Sequence, residues 1–463
     1  MTDIILINPP NTYDNFPYKN SRELCLYPPL GILYIASALN DPSLKVEVMD
    51  IVAQKLTLKQ TIETLIEKKP KIIGITATSP QIRGAVQIAK EMKNYMKDIL
   101  IGIGGAHVSA VPQFINDFDC FDFAVVGEGE STFKAICREV FSDGYLEKKL
   151  YFGEVVENLD NTGFLNRDLL DRSLYFMEPY GHDFVSIHTT RGCPFNCLFC
   201  SNPITSRNVR YRTPENILLE IESCLDKYKI KFVNFTDDTF TLNRERVINI
   251  CNLIIKKKLG FEWCCGTRAD LVDSELLCLM YEAGCRNIGF GVESGDEELR
   301  GKIVNKKIKN RDLLFAFKEC KKLGIETSAY CMLGFPGETR EKMYQTLKFC
   351  KKLNPDVVGF HLAVAMPGSS LYNQAIDENK INKEYWGNYA KGIFEEQPVY
   401  VPDGMLFSEI KRIQKDIYLK YYFRPKYIIR RFLLDIKSFR KLKLDFLTGV
   451  SLFRSAGTAS GRP

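Results

Sequence analysis

No run of about 18 apolar residues occurs anywhere in the 463-residue chain, so no membrane-spanning helix is expected. Its first residues, MTDIILINPP, lead straight into a strand-like run, with no basic segment followed by a cleavable apolar one. A cytoplasmic location is therefore expected. No nucleic-acid-binding module is evident, so nucleic acid is not expected as a partner. A secreted disulfide framework is not expected in so long a chain without a signal segment, and the 15 cysteines mostly stand singly inside apolar periodic segments, as Cys224, Cys251, Cys320 and Cys350 do. Such cysteines behave as small buried hydrophobes. Composition is otherwise that of a globular protein, 45% hydrophobic and 26% charged with a net charge of +6.

One group of cysteines is different. The stretch RGCPFNCLFC, residues 191–200, places Cys193, Cys197 and Cys200 four and then three residues apart. A zinc loop usually pairs CxxC with a second CxxC or with His, and no second CxxC appears here. Thiolates at this spacing can wrap three corners of a [4Fe–4S] cubane and leave its fourth iron open to another ligand. A zinc site completed by a distant ligand, or three buried thiols, are the alternatives.

The surroundings bear on that choice. Strand-like runs at 4–9, 45–50, 71–76, 99–105 and 121–127 alternate with helical patterns. Near-continuous apolar strands separated by helices specify a parallel sheet covered on both faces, and residues 1–145 are read as a doubly wound domain. Residues 146–182 lack periodicity and are read as a linker. Six further βα units begin at 184, 232, 261, 287, 326 and 357, which makes 183–375 an incomplete barrel of the TIM type. The three cysteines follow its first strand, at the end of the barrel where such folds keep their chemistry. Residues 376–463 are expected to form a helical region: Ile410, Ile413, Ile417 and Tyr421 recur at helical spacing, as do Ile429, Phe432, Leu433 and Ile436. Basic residues, among them Lys426, Arg431, Lys437 and Arg440, fall between them. The region is read as a cap on the barrel with a solvated basic face; the sharper alternative is contact with an anionic membrane or an acidic, apolar substrate.

Cx3Cx2C after the first barrel strand resembles the signature of the radical S-adenosylmethionine (SAM) superfamily. The resemblance implies a [4Fe–4S] cluster held by Cys193, Cys197 and Cys200, with SAM on the open iron and reductive formation of a 5′-deoxyadenosyl radical. It implies an aromatic role for Phe199 beside the adenine. TDDTF stands where the family usually has Gly-Gly-Glu, so Asp237 or Asp238 is the expected partner of the SAM amino group. GTRAD points Arg268 at the carboxylate, and GVESG puts Glu293 and Ser294 near the methionyl and ribose groups. MLGFPGET resembles the glycine motif of the fifth strand, with Gly334.

A doubly wound domain of Rossmann-like type and flavodoxin-like strand order ahead of such a barrel resembles the cobalamin-binding subgroup. The matching stretches are YPPLGILYIASAL, IIGITATSPQIRGAVQIAKEMK, GIGGAHVSAVP and AVVGEGEST. The resemblance places Gly104 and Gly105 against the nucleotide tail of cobalamin and Thr78 and Ser79 near the corrin edge. Loop 9–32 contains no His, so no cobalt ligand is expected from it, and His107 is expected to make a polar contact instead. The group implies methylation of an unactivated carbon of a small or lipid-like substrate. Its alternatives are oxidative ring formation without methyl transfer and, outside catalysis, a cofactor sensor. A flavodoxin or ferredoxin would donate electrons. Methyl transfer requires both cofactors at one cavity, with Thr78, Ser79 and Gly104 facing Arg268, Glu293 and Gly334.

Overall fold

The computed structural model describes residues 2–14, 25–39, 41–178, 180–202, 204–205 and 207–435. The first sheet consists of β1 (Ile4–Asn8), β2 (Val46–Asp50), β3 (Ile72–Thr76), β4 (Leu100–Gly104), β5 (Phe123–Val126) and β6 (Leu150–Phe152). All are parallel, in the order β2-β1-β3-β4-β5-β6. This is the expected flavodoxin-like order with one strand added. The cause of the strands is visible in their burial: Ile4–Ile7, Ile72, Ile73 and Ile101 are almost fully enclosed, as strands covered on both faces must be.

The added strand comes from the stretch read as a linker. Residues 159–174 of that stretch form three one-turn helices, capped by Asn158, Asn166 and Asp171, each accepting from the backbone N–H two residues on. Such Asx-capped turns carry no period, which is why no pattern shows in the sequence. Leu159, Leu165, Leu170 and Tyr175 are buried. Leu165, Leu170 and Tyr175 pack in a core shared by Leu6 and Val125 of the first sheet and Phe184 and Phe232 of the second.

The second sheet runs β7 (Phe184–Ile187), β8 (Phe232–Phe235), β9 (Glu262–Thr267), β10 (Cys285–Glu293), β11 (Glu326–Leu333) and β12 (Val357–Leu362). These strands are parallel and neighbour one another in chain order, and β7 and β12 do not pair. It is an open six-stranded barrel with helices outside, as expected. The outer core beneath the helices gathers Val185, Phe235, Trp263, Phe290, Cys331 and Phe360. Ser186, His188, Asn234, Thr236, Arg268, Glu293 and Ser328 alternate with those residues along and just past the strands and make the inner face polar, while Phe184 and Phe232 on the same face pack into the core shared with the first sheet.

The C-terminal region is helical. The helix Phe407–Tyr422 buries Ile410, Ile413, Ile417 and Tyr421 against the barrel, the periodic set expected from the sequence. The short helix Tyr385–Ala390 instead returns to the first unit, where Trp386 and Tyr389 join its core and the Tyr389 hydroxyl donates to the Pro80 carbonyl at 3.1 Å. Ile436, Lys437 and Arg440 lie outside the described residues.

Candidate functional site: a cavity between the two sheets

The cysteine loop begins where β7 ends. Gly192 takes φ +94°, a left-handed conformation that glycine adopts without cost, and turns the chain toward the barrel mouth. Later parts of the barrel pin the loop. The Leu198 N–H donates to the Val304 carbonyl at 2.9 Å, the Leu198 carbonyl accepts from Leu371, and Asn305 Nδ2 donates to the Asn196 carbonyl. Burial raises the Cys197 thiol and pushes the Cys200 thiol up to about 11, and neighbouring cysteines of the loop add to both rises. The cations Lys306 and Arg268 oppose that rise at Cys197, which favours the thiolates a metal cluster requires. Among the described residues no three His, Cys, Asp or Glu side chains converge on a single-ion position. Three cysteine thiols in one loop with Lys306 and Arg268 nearby are a donor set that fits an iron–sulfur cluster.

Around the loop the expected residues separate into two sets. Arg268 is buried, its guanidinium 3.7 Å from the centre of the Phe195 ring within the cysteine loop and fixed by both oxygens of Asp270 at 3.0 and 2.7 Å. Glu293 sits at a bulge in β10 with φ +59°, unusual for a residue with a Cβ, and accepts from Lys306 Nζ at 2.8 Å. Gly291 makes that pair possible, because a Cβ there would lie 2.1 Å from Lys306 Nζ. Phe199 is half-buried beside Phe335, ring centres 6.0 Å apart. Gly334 turns at φ +95°, and its N–H donates to the buried Glu338 at 2.6 Å.

The two candidate aspartates differ. Asp237 spends its carboxylate on the chain before the cysteines, accepting from the Thr189 and Thr190 N–H groups at 2.7 Å each. Asp238 lines the cavity beside Cys200, its carboxyl raised by burial and then by the Asp237 charge. Ser294 is fully enclosed, its hydroxyl accepting from the Asp296 N–H and facing Thr346, away from the cavity. Thr78 closes a turn on Gln81, and Ser79 Oγ bonds His107 Nδ1 at 3.0 Å; neither reaches the cavity. His107 makes the expected polar contact, and burial takes its imidazole down to about 3, so it stays neutral.

That cavity, about 360 Å³, lies between the strand ends of both sheets. From the first unit come Gly31, Tyr34, Thr76, Gly104, Gly105 and Glu128; from the barrel come His188, Arg191, Asn202, Thr205, Thr236 and Asp238. Its floor is glycine. Gly74 and Gly102 face each other in register on β3 and β4, with Thr76 and Gly104 as the next same-face pair. A Cβ on Gly74 would lie 2.7 Å from Leu6, and one on Gly102 would lie 2.2 Å from the Phe123 ring. Gly105, at φ +95°, has Thr76 and Ala77 atoms within 2.9 Å of where its Cβ would stand. Gly74 and Gly102 let Leu6, Phe123 and Phe133 lie close against the sheet, and with Ile32 and Val125 these side chains wall the hollow with apolar surface. Such a hollow would take a flat, largely apolar group with a polar edge, which is the chemistry the nucleotide tail of cobalamin would present.

Charged residues fasten the rim. Glu128, 3% exposed, accepts from Arg191 at 2.9 Å, from both terminal nitrogens of Arg210, and from the Val156 N–H at 3.0 Å. Arg191 also pairs with Glu130 and lies over the Tyr34 ring. Carboxylates of the first unit thus hold the residue two before Cys193. The sequence reading passed over Glu128, Glu130, Arg191, Arg210, His188, Gly74 and Gly102. A signal was present for the glycines, since IIGIT and LIGIG carry glycine at the same strand position. His188 lines the cavity with Nδ1 3.1 Å from Thr236 Oγ1, and burial lowers its imidazole, leaving it neutral.

Residues 187–350 match the Radical SAM superfamily, and residues 25–137 match the B12 binding domain. An uncharacterised methyltransferase of Pyrococcus horikoshii is 31% identical over 87% of this chain and 89% of its own. The chain belongs to the B12-binding branch of the radical SAM superfamily. It is 28% identical, over 83% of its length and 72% of the relative's, to an anaerobic magnesium-protoporphyrin IX monomethyl ester cyclase of Rubrivivax gelatinosus. Its fold is that of OxsB, a cobalamin-dependent SAM radical enzyme (TM-score 0.69, 17% identity, 98% of this chain and 72% of that one). It is likewise that of TsrM, a radical SAM methyltransferase of Kitasatospora setae (TM-score 0.64, 20% identity, 82% and 76%). This radical SAM protein is a cobalamin-dependent enzyme whose cofactors are a [4Fe–4S] cluster, SAM and cobalamin.

Proposed function

We propose that this radical SAM enzyme methylates an unactivated carbon of a small or lipid-like substrate. The observation that carries the reading is the single cavity bordered by the glycine-floored hollow, Asp238 and the start of the cysteine loop. When bound, the cluster and SAM supply hydrogen abstraction and cobalamin supplies a methyl group. Methyl transfer needs both at one substrate; a cavity that Gly104 and Asp238 both line supports such an arrangement, while Arg268, Glu293 and Gly334 stand outside its lining.

The chain's own residues then have distinct tasks. Cys193, Cys197 and Cys200 hold the cluster, with Lys306 and Arg268 offsetting its negative charge. Asp238 accepts from the SAM amino group, because Asp237 is already committed to the backbone. Arg268 and Glu293, with Phe199 and Gly334, border the remainder of SAM. Gly104 and Gly105 receive the nucleotide tail of cobalamin, beside the apolar walls that Gly74 and Gly102 admit. The glycine floor and apolar walls keep water from the reacting carbon. An external flavodoxin or ferredoxin supplies electrons. The Pyrococcus and Kitasatospora relatives, both called methyltransferases, support this reading.

The relative called a cyclase favours a second reading, ring-forming oxidation without methyl transfer. Product analysis separates the two. Methyl transfer requires S-adenosylhomocysteine and 5′-deoxyadenosine in similar yield, with label from CD₃-SAM in the product. Deoxyadenosine with an unlabelled, oxidised product would replace the first reading by the second.

A further inference from the structure

The positive charge of the chain is gathered at one end. Residues 424–463 contain ten Lys and Arg against two Asp, a net +8, whereas the whole chain carries +6; residues 1–423 therefore sum to −2. The helix Pro425–Asp435 opens this stretch. One side of it is fixed to the barrel: the Tyr427 hydroxyl donates to the Asp356 carbonyl at 2.6 Å, and Arg430 donates to the Asn354 carbonyl and pairs with the Asp356 carboxylate. Asn354–Asp356 leads into β12, so the helix sits at the amino end of the barrel, opposite the strand ends that border the cavity.

The other side is apolar and open. Ile428, Ile429, Phe432 and Leu433 are 50%, 59%, 50% and 64% exposed. At i, i+1, i+4 and i+5 they form one arc of the helix, and Lys426 and Arg431 fall on either edge of that arc. Single exposed hydrophobes are ordinary, but four adjoining ones flanked by cations are a surface built to be covered.

We propose that this helix docks the enzyme on an anionic lipid surface. The apolar arc enters the acyl boundary while Lys426 and Arg431 extend their stems along it and keep their charges among lipid phosphates. The net +8 of the terminal stretch strengthens the attraction. A second copy of the same surface would set these cations against one another, which opposes self-association. None of the helices among the described residues is long and apolar enough to cross a membrane, so the contact is peripheral. It leaves the cavity between the sheets free.

Sedimentation of the full-length enzyme with vesicles tests this. Vesicles of phosphatidylcholine with phosphatidylglycerol should bind it, phosphatidylcholine alone should bind it far less, and added salt should release it. At about fivefold per charge, Lys426→Gln with Arg431→Gln should weaken binding about 25-fold. Phe432→Ser with Leu433→Ser should abolish binding while leaving the melting temperature unchanged, because both side chains are already exposed. Equal binding to both vesicles, binding to neither, or wild-type binding by the variants would overturn the proposal. So would a drop in lipid-free mass on the serine substitutions, which would make a second copy the occupant.

Discussion

Glu128→Ala is the most informative perturbation of the frame that holds the cysteine loop. Glu128 is buried and joins Arg191 and Arg210 of the barrel to the first unit. After truncation Arg191 keeps Glu130, but among the described residues Arg210 keeps only the Val156 and Thr205 carbonyls, at 2.6 and 3.4 Å. A buried guanidinium is then left without a counter-charge, which costs about 3–5 kcal/mol. With roughly 2–4 °C per kcal/mol for a unit of this size, the transition of the coupled units should fall by about 6–12 °C at the lower cost. Glu128→Gln keeps the shape and one acceptor, and should lose about half as much. The pH dependence gives an independent check. Burial raises the Glu128 carboxyl, but Arg210, the Val156 N–H and Arg191 outweigh it and hold the group below its ordinary value of 4.5. Its stabilisation is therefore present above pH 4.5 and lost as pH falls through the lower folded value. Differential scanning calorimetry of wild type and both variants across pH reads these quantities. Asp168→Ala, which removes the exposed partner of Lys227, serves as control. A Glu128→Ala protein that melts like this control, or a wild-type advantage over Glu128→Gln that grows below pH 4, would refute the argument.

Replacing Cys193, Cys197 and Cys200 together by Ala should remove the cluster; reconstituted wild type should hold about four irons per chain, and a value near eight would show a second cluster. Gly104→Leu should fold normally, since its Cβ would meet only the Val125 carbonyl at 3.5 Å, yet it should bind cobalamin at least about tenfold more weakly, read from the absorbance of the desalted protein. Burial raises Glu338 from 4.5 to about 7 against two backbone donors, so the folded state binds the extra proton. Stability should then decline by roughly 3 kcal/mol as pH rises from 4.5 to 7. Glu338→Gln should flatten that decline, and superimposable pH profiles for the two proteins would exclude it.

Much of this protein was determined by local sequence. Apolar runs such as IILIN and IIGIT can only be strands covered on both faces, and their alternation with helices leaves parallel sheets as the outcome. The triad Cys193, Cys197 and Cys200 is local as well, because three thiols within eight residues need only a turn to form one site. Ile410, Ile413, Ile417 and Tyr421 announced a buried helix face by their period. What no local pattern could carry was decided by pairing across the chain. Asp237 and Asp238 are adjacent and chemically identical, and the return of Thr189 and Thr190 to Asp237 is what gives them different surroundings. Thr78 and Ser79 stand at a strand end like Gly104, yet their hydroxyls are taken by Gln81 and His107. Glu128 and Arg210 are 82 residues apart, and their meeting depends on how two sheets dock. Strand and helix follow from periods of two and 3.6 residues, whereas the cavity exists only because long-range hydrogen bonds, ion pairs and a shared core bring two sets of strand ends together.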